Sequence, residues 1–497
     1  MTVITAGFAG EHDDAVAVRI GRWARSIVDA PHDRALLPDE VAASVRLRIL
    51  DILGIAIAAN GLATSEAIRT YATSQGGRPE ATAIGCPERL PAALAALVNG
   101  TLAHSLDYDD THLPSILHPS ASVVPAALAA AEAADATGAQ LVAGIAIGIE
   151  VCVRVGMAGY DTATNRNEWF ERGQHATSIC GAIGSAVAAG ALLGLDAAGI
   201  AHAIGVAASM AGGIIEGNRT GGTVKRIHCG WAAHAALSAA GLVAAGITGP
   251  PTALEGRFGL LHAFCGPAGE AAATRIADGL GEPDAWEVPG IFYKPYPANH
   301  YTHAGIDAAF ALVAGGLRIA DIETISLGVP LPIVRTIGDP IETKRTPATA
   351  YQAQFSGPYT VASALLAASG HPGAGGGLGL GLSDFSDALA IDPARRALMA
   401  KVSVVADAEC DAGYPYQFPA VLTVVTTHGR TLVERVKANR GGPQRPLSAA
   451  ELRTKYLDNA CSAISRNQAD NVADLVDRLG GLGGPTASHL LAPLQEI

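Results

Sequence analysis

The sequence of 497 residues contains little charge and few aromatic rings, at 16% and 5% of its residues. The charge that is present is mostly acidic, with 46 Asp and Glu against 34 Lys and Arg and a formal net charge of -12. This balance argues against nucleic acid or an anionic membrane surface as the partner. It does not exclude an acidic metabolite, because a few Lys, Arg and His side chains in one cleft are enough to bind one.

Paired cysteines are also missing. The seven cysteines are scattered singly, without a CxxC pair and without the His/Cys spacing of a zinc site. We therefore expect reduced, mostly buried thiols and no metal. Residues 1–18 have neither a basic leader nor an apolar segment of signal-peptide length, so we expect a cytoplasmic protein.

Several catalytic motifs are absent from the sequence. It contains no GxSxG elbow, no HExxH and no P-loop. The glycine-rich segment GHPGAGGGLGLGLSDF at 370–385 follows a helical pattern and has no GxGxxG spacing, which indicates a flexible loop and not a dinucleotide site. The remaining chemical groups are imidazole, ammonium and carboxylate, which are sufficient for proton transfer without a cofactor.

Two uncharged runs, at 174–195 and 197–215, are each long enough to span a bilayer, so a membrane protein is an alternative to weigh. Both runs consist mostly of Ala and Gly and include polar residues, whereas membrane insertion is driven by Leu, Ile, Phe and Val. Close-packed helices of a soluble protein explain the same composition, and we expect no membrane partner.

The periodicity of apolar residues predicts a mainly α protein. Helical patterns follow one another from about residue 15 to 265, and the first long one begins at Pro38 and Asp39 and stops at Gly61. Short β-branched runs then appear, including two strands joined by a turn at His428 and Gly429. We predict a large all-helical domain formed by residues 1–284 and 441–497, with a smaller α+β domain, residues 285–440, inserted into it.

The segment HSLDYDDTHLPSILHPS, residues 104–120, gathers many of the few titratable groups. If the helix that begins near Pro91 continues to about Asp110, Asp107 and Thr111 lie on one face at its C-terminal end. His118 follows a proline-containing turn, where a helix C-terminus and a nearby aspartate favour a protonated imidazole. The alternative is that the aspartates only cap and solvate a loop, and we assign that lesser role to the other members of the segment: Asp109, Asp110, His104 and His112.

Two further clusters precede predicted helices. His175 follows Arg172 and Gly173 at a helix start, where free N–H groups attract anions, although for this residue taken alone a satisfied core histidine is the better explanation. A Gly/Thr loop concentrates positive charge ahead of the next helix, which is typical of a carboxylate or phosphate site. Its basic residues are Arg219, Lys225, Arg226 and His228.

A fourth cluster lies at the junction of the two predicted domains. It places Lys294, His300 and His303 around two prolines in YKPYPANHYTHAGIDAA. Clefts between domains are favoured binding places, so this segment is a candidate part of the site.

Taken together, these segments resemble the MmgE/PrpD family, which contains 2-methylcitrate dehydratase, cis-aconitate decarboxylase and iminodisuccinate epimerase. The matching segments are AHSLDYDDTH with HPS, GQHATSICGAIGSA, VKRIHCGWAAHAA with TGPPTALEGRFG, and KPYP with TH and IDAA. The resemblance implies a helical domain with an inserted α+β lid, a homodimer, and no metal or organic cofactor. It places the active-site positions of the decarboxylase branch at Asp107, Thr111, His118, His175, Lys225, Lys294 and Tyr359.

The chain departs from the family pattern after KPYP. Many members have two cysteines and an arginine there, so His300 stands where a guanidinium would bind a carboxylate. The decarboxylase branch has a histidine one position earlier, where this chain has Asn299. These two differences change the side chains expected to bind the substrate's distal carboxylate, or the group that replaces it.

We expect an enzyme that dehydrates a citrate-like hydroxy-polycarboxylate. The alternatives are a cis-aconitate-type decarboxylase, an epimerase or racemase of an amino- or imino-dicarboxylate, and a non-catalytic carboxylate-binding or transport protein. We assign proton transfer to His118, oriented by Asp107, and to His175, and charge stabilisation to Lys225. The expected substrate-binding residues are Thr111, Arg172, Lys294, His228, His300 and Tyr359.

Overall fold

The computed structural model describes residues 12–30, 36–161, 164, 166–217, 222–371 and 374–497. The chain divides into two compact units. The first comprises the described residues up to Ile291 together with Asn459–Ile497, and the second is Phe292–Asp458. In chain order the second unit is therefore inserted into the first, and the predicted boundaries, after residues 284 and 440, fall somewhat before the observed ones.

The N-terminal segment of the first unit is helical apart from one short antiparallel strand pair. In chain order its elements are α1 Val16–Val28, α2 Asp39–Ala59, α3 Ala63–Gln75, α4 Ala92–His104, α5 Ser120–Ala133, α6 Gly138–Ala158, β1 Tyr160–Asp161, β2 Arg166–Asn167, α7 Glu168–Glu171, α8 Ala176–Leu192, α9 Ala197–Met210, α10 Val224–Ala244, α11 Leu260–Cys265 and α12 Pro267–Ala273.

Helix α8 forms the centre of this unit. All of its residues are buried, and it packs against α5, α6, α9 and α10. Small side chains allow this crowding, because a Cβ atom on Gly184 would lie 2.3 Å from the carbonyl oxygen of Gly148 on α6. A helix that is apolar on all sides is stable only when neighbours cover every face. Its first residue follows His175, so the core fixes that histidine in place.

Helices α4 and α10 cross with backbone almost touching backbone. A Cβ atom on Gly230 would lie 2.2 Å from the carbonyl oxygen of Leu97, and one on Gly100 would lie 2.8 Å from the Cα of Gly230. Only glycine fits at such a crossing. The crossing lies one turn before the end of α4, at His104, and just after His228 on α10, which brings these two segments to the same place.

Helix α4 ends at His104, so the prediction that it continues to about Asp110 is wrong. Asp107 has a φ of 52°, a left-handed conformation that a right-handed helix cannot contain but that Asp tolerates better than most residues. Asp107 and Thr111 therefore do not share a helical face. The helix C-terminus that we associated with His118 belongs instead to His104.

The second unit is α+β. Its elements are α13 His303–Ala314, β3 Ile322–Val329, α14 Leu331–Ile337, α15 Ile341–Arg345, α16 Ala350–Gln354, α17 Gly357–Ala368, α18 Asp387–Ala390, α19 Pro393–Met399, β4 Val402–Ala406, α20 Ala408–Asp411, β5 Ala420–Thr426, β6 Thr431–Val436 and α21 Ala449–Ala460, whose last residues pass into the first unit. The first unit then ends with α22 Arg466–Asp477 and α23 Ala487–Leu491.

The sheet of the second unit has the strand order β4-β3-β5-β6. β3 pairs in parallel with β4, and the other two pairs are antiparallel. The predicted hairpin is present as β5 and β6, with Gly429 in the left-handed conformation that its turn requires. The burial of β5 alternates strictly between buried and half-buried residues, as expected for a strand with one face on a core.

The mainly α fold class with a small sheet is confirmed. Two helices, α6 and α10, are long and apolar enough to cross a membrane by length and composition. In α6 the apolar window is 89% buried and in α10 it is 61% buried, so protein contacts already cover most of both. All seven cysteines are free thiols, and every one except Cys461 is buried.

The α4/α10 crossing makes a testable prediction about stability. Gly230→Ala places a methyl group against the backbone of α4, and we expect it to lower the free energy of unfolding by about 1–3 kcal/mol. Gly241→Ala is the matched control on the same helix, because nothing lies within 4 Å of its added Cβ. The control should gain about 1 kcal/mol from the helix propensity of Ala. Denaturant melts of both variants measure this, and equal stability of the two would contradict the crossing.

Candidate active site

Four histidine rings of the first unit form one group, which we call the imidazole cluster: the buried His104, His175 and His228 and the half-buried His118. The ring centroid of His104 lies 5.5 Å from that of His118 and 5.6 Å from that of His175. The rings of His175 and His228 are 4.9 Å apart. The cluster brings together the end of α4, the loop before α5, the residue before α8 and the first turn of α10.

Sequence reasoning predicted three of these histidines as site residues and missed His104, which we had assigned to shaping the turn. One signal was available in the sequence. His104 is the last residue of an apolar helix, with aspartates three, five and six residues later. That spacing allows an imidazole at a helix end to meet a carboxylate of the following loop.

His118 is held through one ring nitrogen. Its Nδ1 lies 2.6 Å from the carbonyl oxygen of Asp110 and 3.2 Å from the hydroxyl of Thr111. A carbonyl oxygen only accepts hydrogen bonds, so Nδ1 carries the proton and Nε2 is the nitrogen that gains or loses one. The backbone N–H of His118 donates to the hydroxyl of Thr177 on α8 at 3.2 Å. The carbonyl of Asp110 thus supplies an orienting contact that we had predicted for the side chain of Asp107.

His175 and His228 form a pair of neutral imidazoles. Their Nδ1 atoms are 2.8 Å apart, which requires one to donate and the other to accept. Burial lowers the pKa of His175 well below its ordinary value, and the charges of His104, His228, Lys225 and His118 lower it further. Burial, His104 and Lys225 lower the pKa of His228 to about 4. Both rings are therefore neutral at neutral pH, and each has one ring nitrogen that can accept a proton.

Asp110 is part of a buried ion pair. Its carboxylate lies 2.6 Å from the guanidinium of Arg48, and the pair is almost inaccessible to solvent. The backbone N–H and the hydroxyl of Ser120 also donate to this carboxylate. Burial raises the pKa of Asp110, and Arg48 is the main group that opposes the rise. Arg48 in turn donates to the carbonyls of Val288 and Ile291. Through Arg48, the loop that carries His118 is therefore linked to α2 and to the last residues of the unit's N-terminal segment.

The other two aspartates of the segment each lie against a basic side chain of their own. Asp107 accepts from the ammonium of Lys225 at 3.1 Å. Asp109 lies 2.8 Å from Nδ1 of His104, and both side chains are fully buried. Three neighbouring carboxylates thus face three different basic side chains, on α2, α10 and α4. Buried charges persist only when paired in this way.

The remaining predicted residues of the first unit lie elsewhere or are already engaged. Arg172 is 44% exposed and pairs with Glu168 at 3.3 Å. The backbone N–H of His175 donates to the carbonyl of Gly213 at 3.0 Å, so the idea that this N–H binds an anion is wrong. Arg226 donates to the hydroxyl of Thr64. Arg219 lies outside the described residues.

Three predicted substrate-binding residues belong to the second unit. Lys294 is fully buried, and His300 is buried against the rings of Phe292, His303 and Phe418. The hydroxyl of Tyr359 donates to the carbonyl of Asp384 at 2.6 Å, and burial raises its pKa to about 12. The hydroxyl of Tyr359 is therefore used within the unit, and the substrate-binding roles of all three stay predictions.

Among the residues that the structure describes, one group of side chains is compact enough to hold a metal ion. Ligand atoms of His104, Asp109 and Cys229 all lie within 4.8 Å of one another. Burial and the charge of Asp109 raise the pKa of the Cys229 thiol well above its ordinary value, so metal binding would have to displace its proton. Because His104 and Asp109 already bond each other, we assign them no metal, and the expected absence of a metal stays a prediction.

Comparison with known proteins gives a consistent result. The sequence model for the MmgE/PrpD N-terminal domain matches residues 24–271, and that for the MmgE/PrpD C-terminal domain matches residues 296–480. The chain is 28% identical over 463 residues to cis-aconitate decarboxylase of Mus musculus, covering 90% of this chain and 88% of that protein. For cis-aconitate decarboxylase of Homo sapiens the identity is 27% over 457 residues, with coverage of 90% and 89%. A cis-aconitate decarboxylase of Aspergillus terreus is 28% identical over 304 residues, 59% of each chain.

The buried Arg48–Asp110 pair predicts a large effect of a single substitution. Arg48→Met leaves the Asp110 carboxylate without its cation, and we expect a loss of about 3–5 kcal/mol in the free energy of unfolding. Arg46→Met, on the same helix but half-buried, is the control and should change stability by less than about 1 kcal/mol. Chemical denaturation measures both, and a similarly small change for Arg48→Met would mean that the pair does not hold the loop.

Proposed function

The chain belongs to the MmgE/PrpD family, and on that premise we propose that it is a lyase which moves a proton at a carbon beside a carboxylate of a small di- or tricarboxylate. The imidazole cluster is the observation that carries the proposal. It combines a histidine tied at Nδ1, so that Nε2 exchanges the proton, with a pair of neutral imidazoles. General acid–base catalysis needs a positioned proton donor and a positioned proton acceptor, and imidazoles are the groups that most often serve as both.

His118 and His175 are the proton-transfer residues in this proposal. With Nδ1 of His118 donating to Asp110, its Nε2 acts as an acid when protonated and as a base when not. His175 is neutral because its pKa is lowered, which suits a base that removes a proton next to a carboxylate. Thr111 lies against His118 and His228 against His175, where they position these rings.

Lys225 provides the positive charge for the substrate. Removing a proton or CO2 beside a carboxylate builds negative charge on the substrate, and a half-buried ammonium stabilises that charge more strongly than one in water. Its partner Asp107 keeps the ammonium in place at 3.1 Å. Lys294, His300, Tyr359 and Arg172 remain proposed contacts for the other carboxylates.

Decarboxylation of a cis-aconitate-like acid is the reaction that we place first. In this course the carbon–carbon bond to one carboxyl group breaks, CO2 leaves, and the electron pair of that bond shifts through the adjacent double bond onto a carbon next to a remaining carboxylate. An imidazolium then delivers its proton to carbon. Relatives that carry the name cis-aconitate decarboxylase align with 90% of the chain, which favours this course.

Dehydration of a citrate-like hydroxy acid is the second candidate. A base removes the proton beside a carboxylate, and an acid protonates the hydroxyl group, which departs as water. Asn299 and His300 favour this course, because they depart from the decarboxylase pattern at the position expected to read the distal group. Either course fits a cytoplasmic homodimer without a metal or organic cofactor, which we include in the proposal.

The reaction course is tested by incubating the protein in D2O with a panel of tricarboxylates, hydroxy acids and amino-dicarboxylates and following NMR. Decarboxylation gives a product with one carboxylate fewer and solvent deuterium on carbon, whereas dehydration gives a new alkene. Solvent deuterium at an unchanged stereocentre would indicate epimerisation and replace both courses. A ligand-induced thermal shift without turnover of any acid would contradict the proposed lyase.

The roles of the two histidines are tested by His118→Gln and His175→Gln. We expect each variant to lose about 10²–10⁴-fold in kcat, the usual worth of a general acid or base. His234→Gln is the control, since this half-buried histidine of α10 bonds the carbonyl of Ala93 outside the imidazole cluster. Near-parental turnover of either cluster variant on the identified substrate would remove that histidine from the mechanism.

A further inference from the structure

His104 and Asp109 form a second acid–base pair in the site that the proton-transfer mechanism above does not use. The two side chains are fully buried and joined at 2.8 Å through Nδ1 of His104. The ring of His104 lies between those of His118 and His175, at 5.5 and 5.6 Å. A histidine that only shaped the turn would not need to sit between the two rings that exchange the proton.

The neighbouring carboxylates show what a buried aspartate of this segment requires of its partner. The buried carboxylates of Asp107 and Asp110 each have a full cation as partner, Lys225 and Arg48 respectively. By the same requirement Asp109 needs a positive partner, and His104 is the basic group that bonds it. His104 is also the last residue of α4, where the helix dipole stabilises a cation.

A second observation concerns the other ring nitrogen. Nε2 of His104 is buried and has no hydrogen-bond partner among the described residues. Native cores rarely leave a polar atom in that condition without a reason. The charge of His104 is among the causes that lower the pKa of both His175 and His228, so the ring acts electrostatically on its neighbours.

We propose that His104, held by Asp109, is a positioning residue whose positive charge keeps His175 and His228 unprotonated and so sets which imidazole of the cluster carries the proton. His104 would contact neither the substrate nor the reacting carbon. It acts on the rings of His175 and His228 through its charge. The kinetic part of this inference rests on the proposed function, whereas its electrostatic part does not.

The groups that face the cluster must all be considered when pH is varied. His104 faces Asp109 and His118 from its own loop, His175 from the start of α8, and groups on α10. Those on α10 are Lys225, His228 and Cys229. The Cys229 thiol stays protonated because burial and the charge of Asp109 raise its pKa. Among these groups, His104 is the one whose charge the substitutions below are designed to remove.

Two variants separate charge from packing. His104→Gln removes the ring and its charge, but it also leaves space that water can enter. Asp109→Asn keeps the ring and the volume and removes only the partner that holds the proton on His104. If the charge matters, both variants act in the same direction, whereas an effect of a cavity appears in His104→Gln alone. His112→Gln is the matched control, because this buried histidine of the same loop bonds Ser115.

The first measurement is ¹⁵N NMR of the imidazoles in the full-length protein across pH. We expect both nitrogens of His104 to be protonated at pH 7 in the parent, and His104 to be neutral in Asp109→Asn. The midpoint for His228, about 4 in the parent, should rise by about one pH unit in both variants once the neighbouring charge is gone. A neutral His104 in the parent, or an unchanged midpoint in Asp109→Asn, would overturn the inference even if no substrate were turned over.

The second measurement is the pH profile of kcat/KM on the identified substrate. Both variants should shift the acidic limb upward by about one pH unit and lower kcat at least about 10-fold, with KM changed less than about threefold. His112→Gln should match the parent. Folded variants with lower kcat but an unmoved acidic limb would reduce His104 to a packing role. A parent without turnover would refute the proposed function, while the NMR result would still decide the charge of His104.

Discussion

Three buried carboxylates within four residues, Asp107, Asp109 and Asp110, impose the constraint on which the site depends. None of them can be ionised inside the helical unit without a cation beside it. Each lies against a basic side chain from a different helix: Lys225 on α10, His104 on α4 and Arg48 on α2. Satisfying these three pairs fixes the loop that carries His118 and places Lys225 and His104 beside it, so the electrostatic requirement of the loop also assembles the imidazole cluster.

The small residues of the core make this arrangement possible. Where α4 crosses α10, Gly100 and Gly230 bring the two backbones into contact, and the end of α4 then lies beside the start of α10. The fully buried α8 places His175 between them. The lowered pKa of His175 follows from the same closeness, because burial and the neighbouring positive charges disfavour its protonated form. Packing and proton chemistry therefore depend on the same contacts.

The sequence was sufficient to predict the helical class, the inserted α+β segment and most residues of the imidazole cluster. Periodicity identifies long helices well, but it could not find the end of α4, because polar residues such as Asp107, with its left-handed backbone, carry no apolar period and Lys225, the partner of Asp107, is distant in sequence. His104 was missed for the same reason. Its role depends on ring contacts with His118 and His175 that no local pattern encodes. Arg48 carried no signal either, as an arginine in an apolar helix is ordinary until its partner is known.

The most direct test of this account is a neutron structure of the deuterated protein at pH 7, which locates each proton of the cluster. The account predicts deuterium on both nitrogens of His104 and none on the carboxylate of Asp109. It predicts one deuterium each on His175 and His228, one of them shared across the 2.8 Å contact between their Nδ1 atoms, and one on Nδ1 of His118. A deuterium on Asp109, with a single one on His104, would contradict the charge pattern from which the chemistry of the site is derived.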